Sequence, residues 1–172
     1  MARNIEIKAR IGSLEAITAK VAALADHGPI ELSQDDTFFV CERGRLKLRV
    51  CSSTEGQLIF YQRPNQVGPK ESFFVISPTA VPDALRDALS LAYGQAGRVR
   101  KHRTVYHVGR TCIHLDSVEH LGHFLEVEVA LSEGESPAAG VEEAHNVLAA
   151  LGIADAQLIA GAYVDLLAQQ HA

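Results

Sequence analysis

Residues 44–50 read Gly44-Arg45-Leu46-Lys47-Leu48-Arg49-Val50. Side chains alternate along a strand, so Arg45, Lys47 and Arg49 point to one face and Leu46, Leu48 and Val50 to the other. A half-buried antiparallel strand accounts for one such segment taken singly. The same division returns elsewhere, with bases clustered on some strands and carboxylates on others. Lys101 and Arg103 share a face, as do Tyr61 and Arg63. Glu6 and Lys8 lie opposite Ile5 and Ile7, and Glu126 and Glu128 lie opposite Leu125, Val127 and Val129.

Working outward from residue 44, period-two alternation and dense β-branched or aromatic content predict eight strands, at 3–11, 35–41, 45–51, 57–63, 70–77, 98–108, 111–118 and 123–131. Glu42-Arg43-Gly44, Ser52-Ser53-Thr54-Glu55-Gly56 and Gly109-Arg110 supply hairpin chemistry, and His120-Leu121-Gly122 parts the last two strands. Four helices are expected: 14–26 after Ser13, 81–93 from Pro82 to Gly94, 138–151 before Gly152, and 155–170 with Asp155 as cap. Leu148, Leu151, Leu158, Ile159, Leu166 and Leu167 recur at helical spacing and read as a core stripe. No repeat or long linker interrupts the 172 residues, which points to a single domain over 1–172.

The helices hold Lys20 and Arg86 as their only bases, so most of the other bases fall in strands. Eight antiparallel strands can close, and closure turns the inner face into a shared lumen. About seven bases and four carboxylates would then meet there, a crowd that a polyanion and divalent cations together would satisfy. The fold class expected is therefore α+β, an eight-stranded antiparallel closed β-barrel with helices packed outside.

Several functions are excluded or disfavoured by composition. A net charge of -5 gives no reason for non-specific nucleic-acid binding, and 6% aromatic residues cannot build a stacking platform along the bases. A lipid carrier would need an apolar lumen. No apolar run is long enough for a membrane-spanning helix, and Met1-Ala2-Arg3-Asn4-Ile5-Glu6 is too polar for a secretory h-region. Three widely spaced cysteines, Cys41, Cys51 and Cys112, read as reduced thiols, so a cytoplasmic setting is expected.

Glu126-x-Glu128 sets two carboxylates about 7 Å apart on one strand face, and such oxygen ligands suit Mg²⁺ or Mn²⁺ rather than zinc. His114, His120 and His123 lie near one another in sequence, but two are near a turn and no cysteine ligand joins them, so they read as surface or hydrogen-bonded side chains, while His27, His102, His107, His145 and His171 carry no motif. No G-x-S-x-G, Walker A or G-x-G-x-x-G pattern occurs. Metal-assisted attack by water, or attack by a substrate hydroxyl, is the chemistry left.

An ordered series of segments goes further. It comprises Ile5-Glu6-Ile7-Lys8, Gly44 to Arg49, Leu58-Ile59-Phe60-Tyr61-Gln62-Arg63, Val99-Arg100-Lys101-His102-Arg103, His114-Leu115-Asp116 and Leu121-Gly122-His123-Phe124-Leu125-Glu126-Val127-Glu128. The series, over residues 3 to about 165, resembles the CYTH domain of the triphosphate tunnel metalloenzymes, among them class IV adenylyl cyclases, thiamine triphosphatases and inorganic tripolyphosphatases. The resemblance implies a triphosphate held in the tunnel with Mg²⁺ or Mn²⁺. It implies Glu6, Glu126 and Glu128 as metal ligands, with Asp116 as ligand or organiser of bound water. Lys8, Lys47, Arg49, Arg63, Lys101 and Arg103 become triphosphate contacts, with Arg45 and Lys70 as further candidates. Lys8, Glu6 and Glu128 form the catalytic set.

One position departs from the family pattern. The first motif is usually E-x-E-x-K, whereas this chain reads Asn4-Ile5-Glu6-Ile7-Lys8, which removes an anionic ligand. The expected activity is hydrolysis of inorganic tripolyphosphate or of a nucleoside or thiamine triphosphate. The alternatives are conversion of ATP to cyclic AMP and pyrophosphate, or polyphosphate binding without turnover. The expected partner is a small triphosphate, with no nucleic acid and no membrane, and homodimers occur among relatives.

Overall fold

A computed structural model describes residues 2–170; Met1 and His171, both used in the sequence reading, lie outside them. The eight strands are β1 (Ala2–Ile11), β2 (His27–Phe39), β3 (Arg45–Ser52), β4 (Glu55–Gln62), β5 (Lys70–Thr79), β6 (Gln95–Val108), β7 (Thr111–Val118) and β8 (Gly122–Leu131). They close into one antiparallel ring in the order β1-β5-β4-β3-β2-β6-β7-β8. The joint is made by β1, which pairs with β5 through Glu6↔Lys70 and with β8 through Glu6↔Glu128 and Lys8↔Glu126. Among the described residues no helix is long and apolar enough to cross a membrane.

The alternation of the strands places the apolar core outside the ring. Ile5, Ile7, Ile113, Leu115, Leu125, Val127 and Val129 pack with Ile17 and Val21 of α1 (Leu14–Leu24) and with Ala144, Val147, Leu148 and Leu151 of α3 (Pro137–Leu151). Ser13 caps α1 by accepting from the Ala16 N–H, and α3 ends at Gly152 in the left-handed conformation. Gly140 lets α3 lie on β1, because a Cβ there would stand 2.7 Å from Ile5 Cγ1. Between Pro82 and Tyr93 runs α2, packed against β2, β3 and β4.

Two elements differ from the sequence reading. Strand β2 begins at His27, not 35, because residues 27–34 extend past the ring as a ribbon on β6, pairing Ile30↔Val105 through Gln34↔Lys101. His27-Gly28-Pro29 has the composition of a turn, and only the distant partner strand makes it extended. The helix expected over 155–170 is broken. Asp155–Gln157 is a single 3-10 turn whose cap is Ala154, and α4 spans Tyr163–Gln170. Between them Leu158 bridges Ala9, the Ile159 N–H donates to the Lys8 carbonyl at 3.0 Å, and Gly161 turns at φ +81°. Backbone hydrogen bonds to β1 thus replace helical ones, and Leu158 and Ile159 pack from an extended segment. Their apolar spacing is met without a helix.

Helix α4 closes one end of the ring. Tyr163, Leu166 and Leu167 join Phe38, Val99 and Phe124, which point inward from β2, β6 and β8. The start of α4 is fixed by Asp165, whose carboxylate accepts from the Ala162 N–H at 2.9 Å.

Candidate functional site: a charged tunnel

The inner face is lined by Asn4, Glu6 and Lys8 of β1, Asp36 of β2, Lys47 and Arg49 of β3, Tyr61 of β4, Lys101 and Arg103 of β6, and Glu126 and Glu128 of β8. Arg63 reaches in from just past β4, and Tyr163 from the start of α4. The period of two explains the contributions of β1, β3 and β8, whose lining charges alternate with apolar residues directed outward; Asp36, Lys101 and Arg103 instead have polar or charged neighbours on the outer face.

One wall is cationic. Asp36, only 1% exposed, accepts from Lys47 at 2.8 Å and from both Arg49 Nε and Nη2 at 2.8 Å, with Lys101 Nζ at 3.4 Å. Burial works against the Asp36 charge, but Lys101, Lys47 and Arg49 outweigh it and hold the carboxyl well below its usual range. The bases bear the cost of sharing one anion. Burial, only partly offset by Asp36, lowers Lys101 to about 7, and burial with the neighbouring Arg49 lowers Lys47 to about 8.

The facing wall is anionic and paired differently. Arg103 forks onto Asp116 at 2.7 and 2.6 Å and reaches Glu126 at 3.4 Å. Lys8 Nζ lies 2.9 Å from Glu126 and 4.0 Å above the Tyr163 ring. Arg63 is hydrogen-bonded to Glu6 and donates to the Gly161 carbonyl at 3.1 Å. Burial opposes the Glu126 charge, but Lys8 and Arg103 help to hold its carboxyl well below the usual range. Glu128 goes the other way: burial, then Glu126 and Glu6, push it up to about 8.

The ring brings Glu6, Lys8, Lys47, Arg49, Arg63, Lys101, Arg103, Glu126 and Glu128 together. Arg45 is turned aside, to Asp165 of α4 at 2.6 Å and Asn65 at 3.1 Å, and is not part of the lining. Asp116 sits behind Arg103 at 0% exposure, its oxygens taken by that guanidinium and by the Tyr163 hydroxyl, which donates at 2.7 Å. Lys70 is buried and donates to the Gln66 carbonyl at 3.3 Å.

Three members escaped sequence reasoning. Asp36 stands beside Asp35, and only strand register decides which of the two faces inward. Tyr163 falls in the expected helix and in the stretch that the family resemblance covers, but carries no assigned role there. His114, read as a surface or hydrogen-bonded side chain, is buried on the inner face with Nδ1 lacking any partner; the signal available was its place two residues before Asp116 in an alternating strand.

The residues fit a divalent cation. Among the described residues one group of three His, Cys, Asp or Glu side chains has ligand atoms close enough to share an ion: His114, Glu126 and Glu128, all within 4.8 Å of one another. Asn4 donates from Nδ2 to Glu128 at 3.2 Å, and its Oδ1 is buried without a partner. Two adjacent carboxylates, one with its proton affinity raised, together with orphaned neutral donors, are a set that a cation would satisfy.

Comparisons with known proteins agree with this architecture. The family model of the CYTH domain matches residues 2–163. No curated protein matches the chain. Among solved structures, the PH1012 protein of Pyrococcus horikoshii OT3 superposes with a TM-score of 0.83 at 23% identity, over 95% of this chain and 98% of the other. A candidate adenylate cyclase from Vibrio parahaemolyticus gives 0.78 at 17% identity, over 96% and 97% of the two chains. HpAC1 from Hippeastrum, a candidate adenylyl cyclase in which triphosphatase activity dominates, gives 0.69 at 17% identity, over 98% and 96%. At these identities the likeness carries the fold.

Proposed function

This chain belongs to the CYTH domain family, and on that premise we propose that it is a divalent-cation-dependent enzyme that hydrolyses the terminal phosphoryl group of a triphosphate drawn into its tunnel. The observation that carries this reading is the division of one enclosed lumen into a wall of Lys47, Arg49 and Lys101 and a facing wall of Glu6, Glu126 and Glu128. A chain of phosphates is the common small ligand that needs many cations along its length and a divalent ion beside it.

In this reading Lys47, Arg49, Lys101 and Arg103 bind the non-bridging oxygens, with Arg guanidinium groups suited to forked contacts. Asp36 releases part of its hold on the three bases as the phosphates replace it. Glu126 and Glu128, with Glu6, would hold the cation, whose chemistry is to neutralise charge on the phosphoryl oxygens and activate water. The Lys8–Glu126 pair, 2.9 Å apart, would move a proton at the attacking water. Water adds to the terminal phosphorus as the bridging oxygen leaves, yielding phosphate and a diphosphate. Charge gathers on that leaving oxygen, and the fixed cations of the tunnel accelerate the step by stabilising it.

The test is phosphate release from tripolyphosphate, ATP and thiamine triphosphate with Mg²⁺ or Mn²⁺, with cyclic AMP measured in parallel. Release of phosphate is expected, and Glu126→Ala or Glu128→Ala should lower it by at least about a hundredfold. Cyclic AMP with pyrophosphate would assign a cyclase instead. Tight tripolyphosphate binding with no turnover under any of these cations would assign a binding module.

A further inference from the structure

We propose that His114 joins Glu126 and Glu128 in a mixed nitrogen–oxygen site for a divalent first-row transition ion, and that this nitrogen makes the protein prefer such an ion to Mg²⁺. The inference rests on the cation-dependent reading above and deepens it at the cation itself.

Register puts the histidine there: His114 of β7 pairs directly with Glu126 of β8, so both side chains stand on the inner face. Nδ1 lies 3.6 Å from Glu126 Oε1 and 3.8 Å from Glu128 Oε1. These separations are too long for hydrogen bonds. They suit donors around one ion, since ligands with bonds of about 2.1 Å stand about 3 Å apart at right angles and about 4.2 Å apart across the ion. Buried ring nitrogens in native proteins ordinarily have a partner, and this one has none.

Local charge agrees. Every carboxylate along the rest of the tunnel is matched by a lysine or arginine, namely Asp36 by Lys47, Arg49 and Lys101, Glu6 by Arg63, Glu126 by Lys8, and Asp116 by Arg103. Among the described residues no lysine or arginine lies within 4 Å of the Glu128 carboxylate, whose neighbours are His114 and the Asn4 amide. Asn4 Oδ1, also buried and unpartnered, supplies a neutral oxygen at the same place. What is missing here is a cation.

The nitrogen decides which. Mg²⁺ takes an octahedron of oxygens and keeps its waters, whereas imidazole binds first-row transition ions well. An oxygen-only site would separate Mn²⁺ from Mg²⁺ weakly, and one imidazole ligand should widen the gap.

The test uses the full chain with Mn²⁺ or Mg²⁺ alone and no triphosphate. Pulsed electron paramagnetic resonance of bound Mn²⁺ should show a directly coupled imidazole nitrogen, whose pattern changes on ¹⁵N-histidine labelling. His114→Asn should abolish the coupling, and His102→Gln, on the outer face, should keep it. Calorimetry should give Mn²⁺ at least about tenfold tighter binding than Mg²⁺, narrowing to about threefold or less in His114→Asn. Bound Mn²⁺ without nitrogen coupling, or equal affinity for the two ions, would overturn the proposal; the wild-type signal decides it even where the variant does not fold. A cation-stimulated triphosphatase lacking the nitrogen signal would sink this inference alone. The signal without turnover of any triphosphate would sink the functional reading and leave the site standing.

Discussion

Asp36 is a single buried carboxylate that serves three bases, and its loss shows how the cationic wall is held together. In Asp36→Asn the Lys47, Arg49 and Lys101 charges would face one another without an anion. Removing one partner of a buried ionic cluster typically costs about 3–5 kcal/mol. The variant should therefore melt well below the wild type in low-phosphate buffer, and tripolyphosphate should raise its melting temperature more than it raises the wild type's, because a polyanion restores the missing charge. A thermal shift titration checks this, and equal ligand-induced shifts in the two proteins would remove Asp36 from the anion site. The residue also marks where reading a sequence stops. Arg45, Lys47 and Arg49 were legible because three identical signs repeat at period two. Gln34-Asp35-Asp36 offers two acids on opposite faces, and nothing local says which is inside. Arg45 shares the alternation of Lys47 and Arg49 but stands at the rim, where Asp165 of α4 holds it, a contact that no local pattern announces.

At the level of elements, seven strands and three helices follow from local pattern and caps, while the departures occur where a distant partner overrides composition. Residues 27–34 need β6 to be a strand. Residues 158–162 need the backbone of β1, and only after Gly161 does α4 begin. That late start has a consequence, since it delivers Tyr163 into the closed end of the tunnel, where its hydroxyl donates to Asp116 and its ring lies under Lys8. Burial, then the Asp116 charge, hold the phenol well above its ordinary value, so it stays a donor throughout the working range. Tyr163→Phe would remove one of the two donors to Asp116 Oδ2, leaving Arg103 alone on a fully buried carboxylate. A loss of about 1–3 kcal/mol in unfolding free energy is expected. Arg45→Ala breaks a pair that is 19% and 35% exposed and should cost no more than about 1 kcal/mol. Urea denaturation of both variants compares the two anchors of α4 directly, and a larger loss for Arg45→Ala would mean that the helix is held at its rim, not at the tunnel.

The whole molecule is an inverted solution to the folding of a small barrel: apolar side chains stabilise the outer face under α1 and α3, and the interior, apolar at the end that α4 closes, carries charges that must balance. In such a design the pH dependence of stability reports the interior. Glu128, at about 8 against an ordinary 4.5, keeps a proton in the folded state that the unfolded chain releases, so its contribution falls as pH rises from 4.5 to 8. Two other groups of the tunnel run in the opposite direction. His114, lowered from 6.5 to about 4 chiefly by burial, adds stability with rising pH between those values, and Lys101, lowered from 10.5 to about 7, does so above 7. The total curve therefore mixes signs, but subtraction isolates Glu128. In chelator-treated protein, the melting temperature of the wild type minus that of Glu128→Gln should decline steadily between pH 5 and pH 8, because the glutamine resembles the protonated acid and does not titrate. Saturating Mn²⁺ should reverse the trend, stabilising the wild type most at pH 8, where releasing the Glu128 proton no longer competes with binding. A difference that stays flat with pH, with and without the cation, would mean that Glu128 titrates as an ordinary surface acid and that the anionic wall is open to water. The cation-free tunnel should instead give the sloping result, since burial and then the repulsion of Glu126 both favour proton uptake at Glu128.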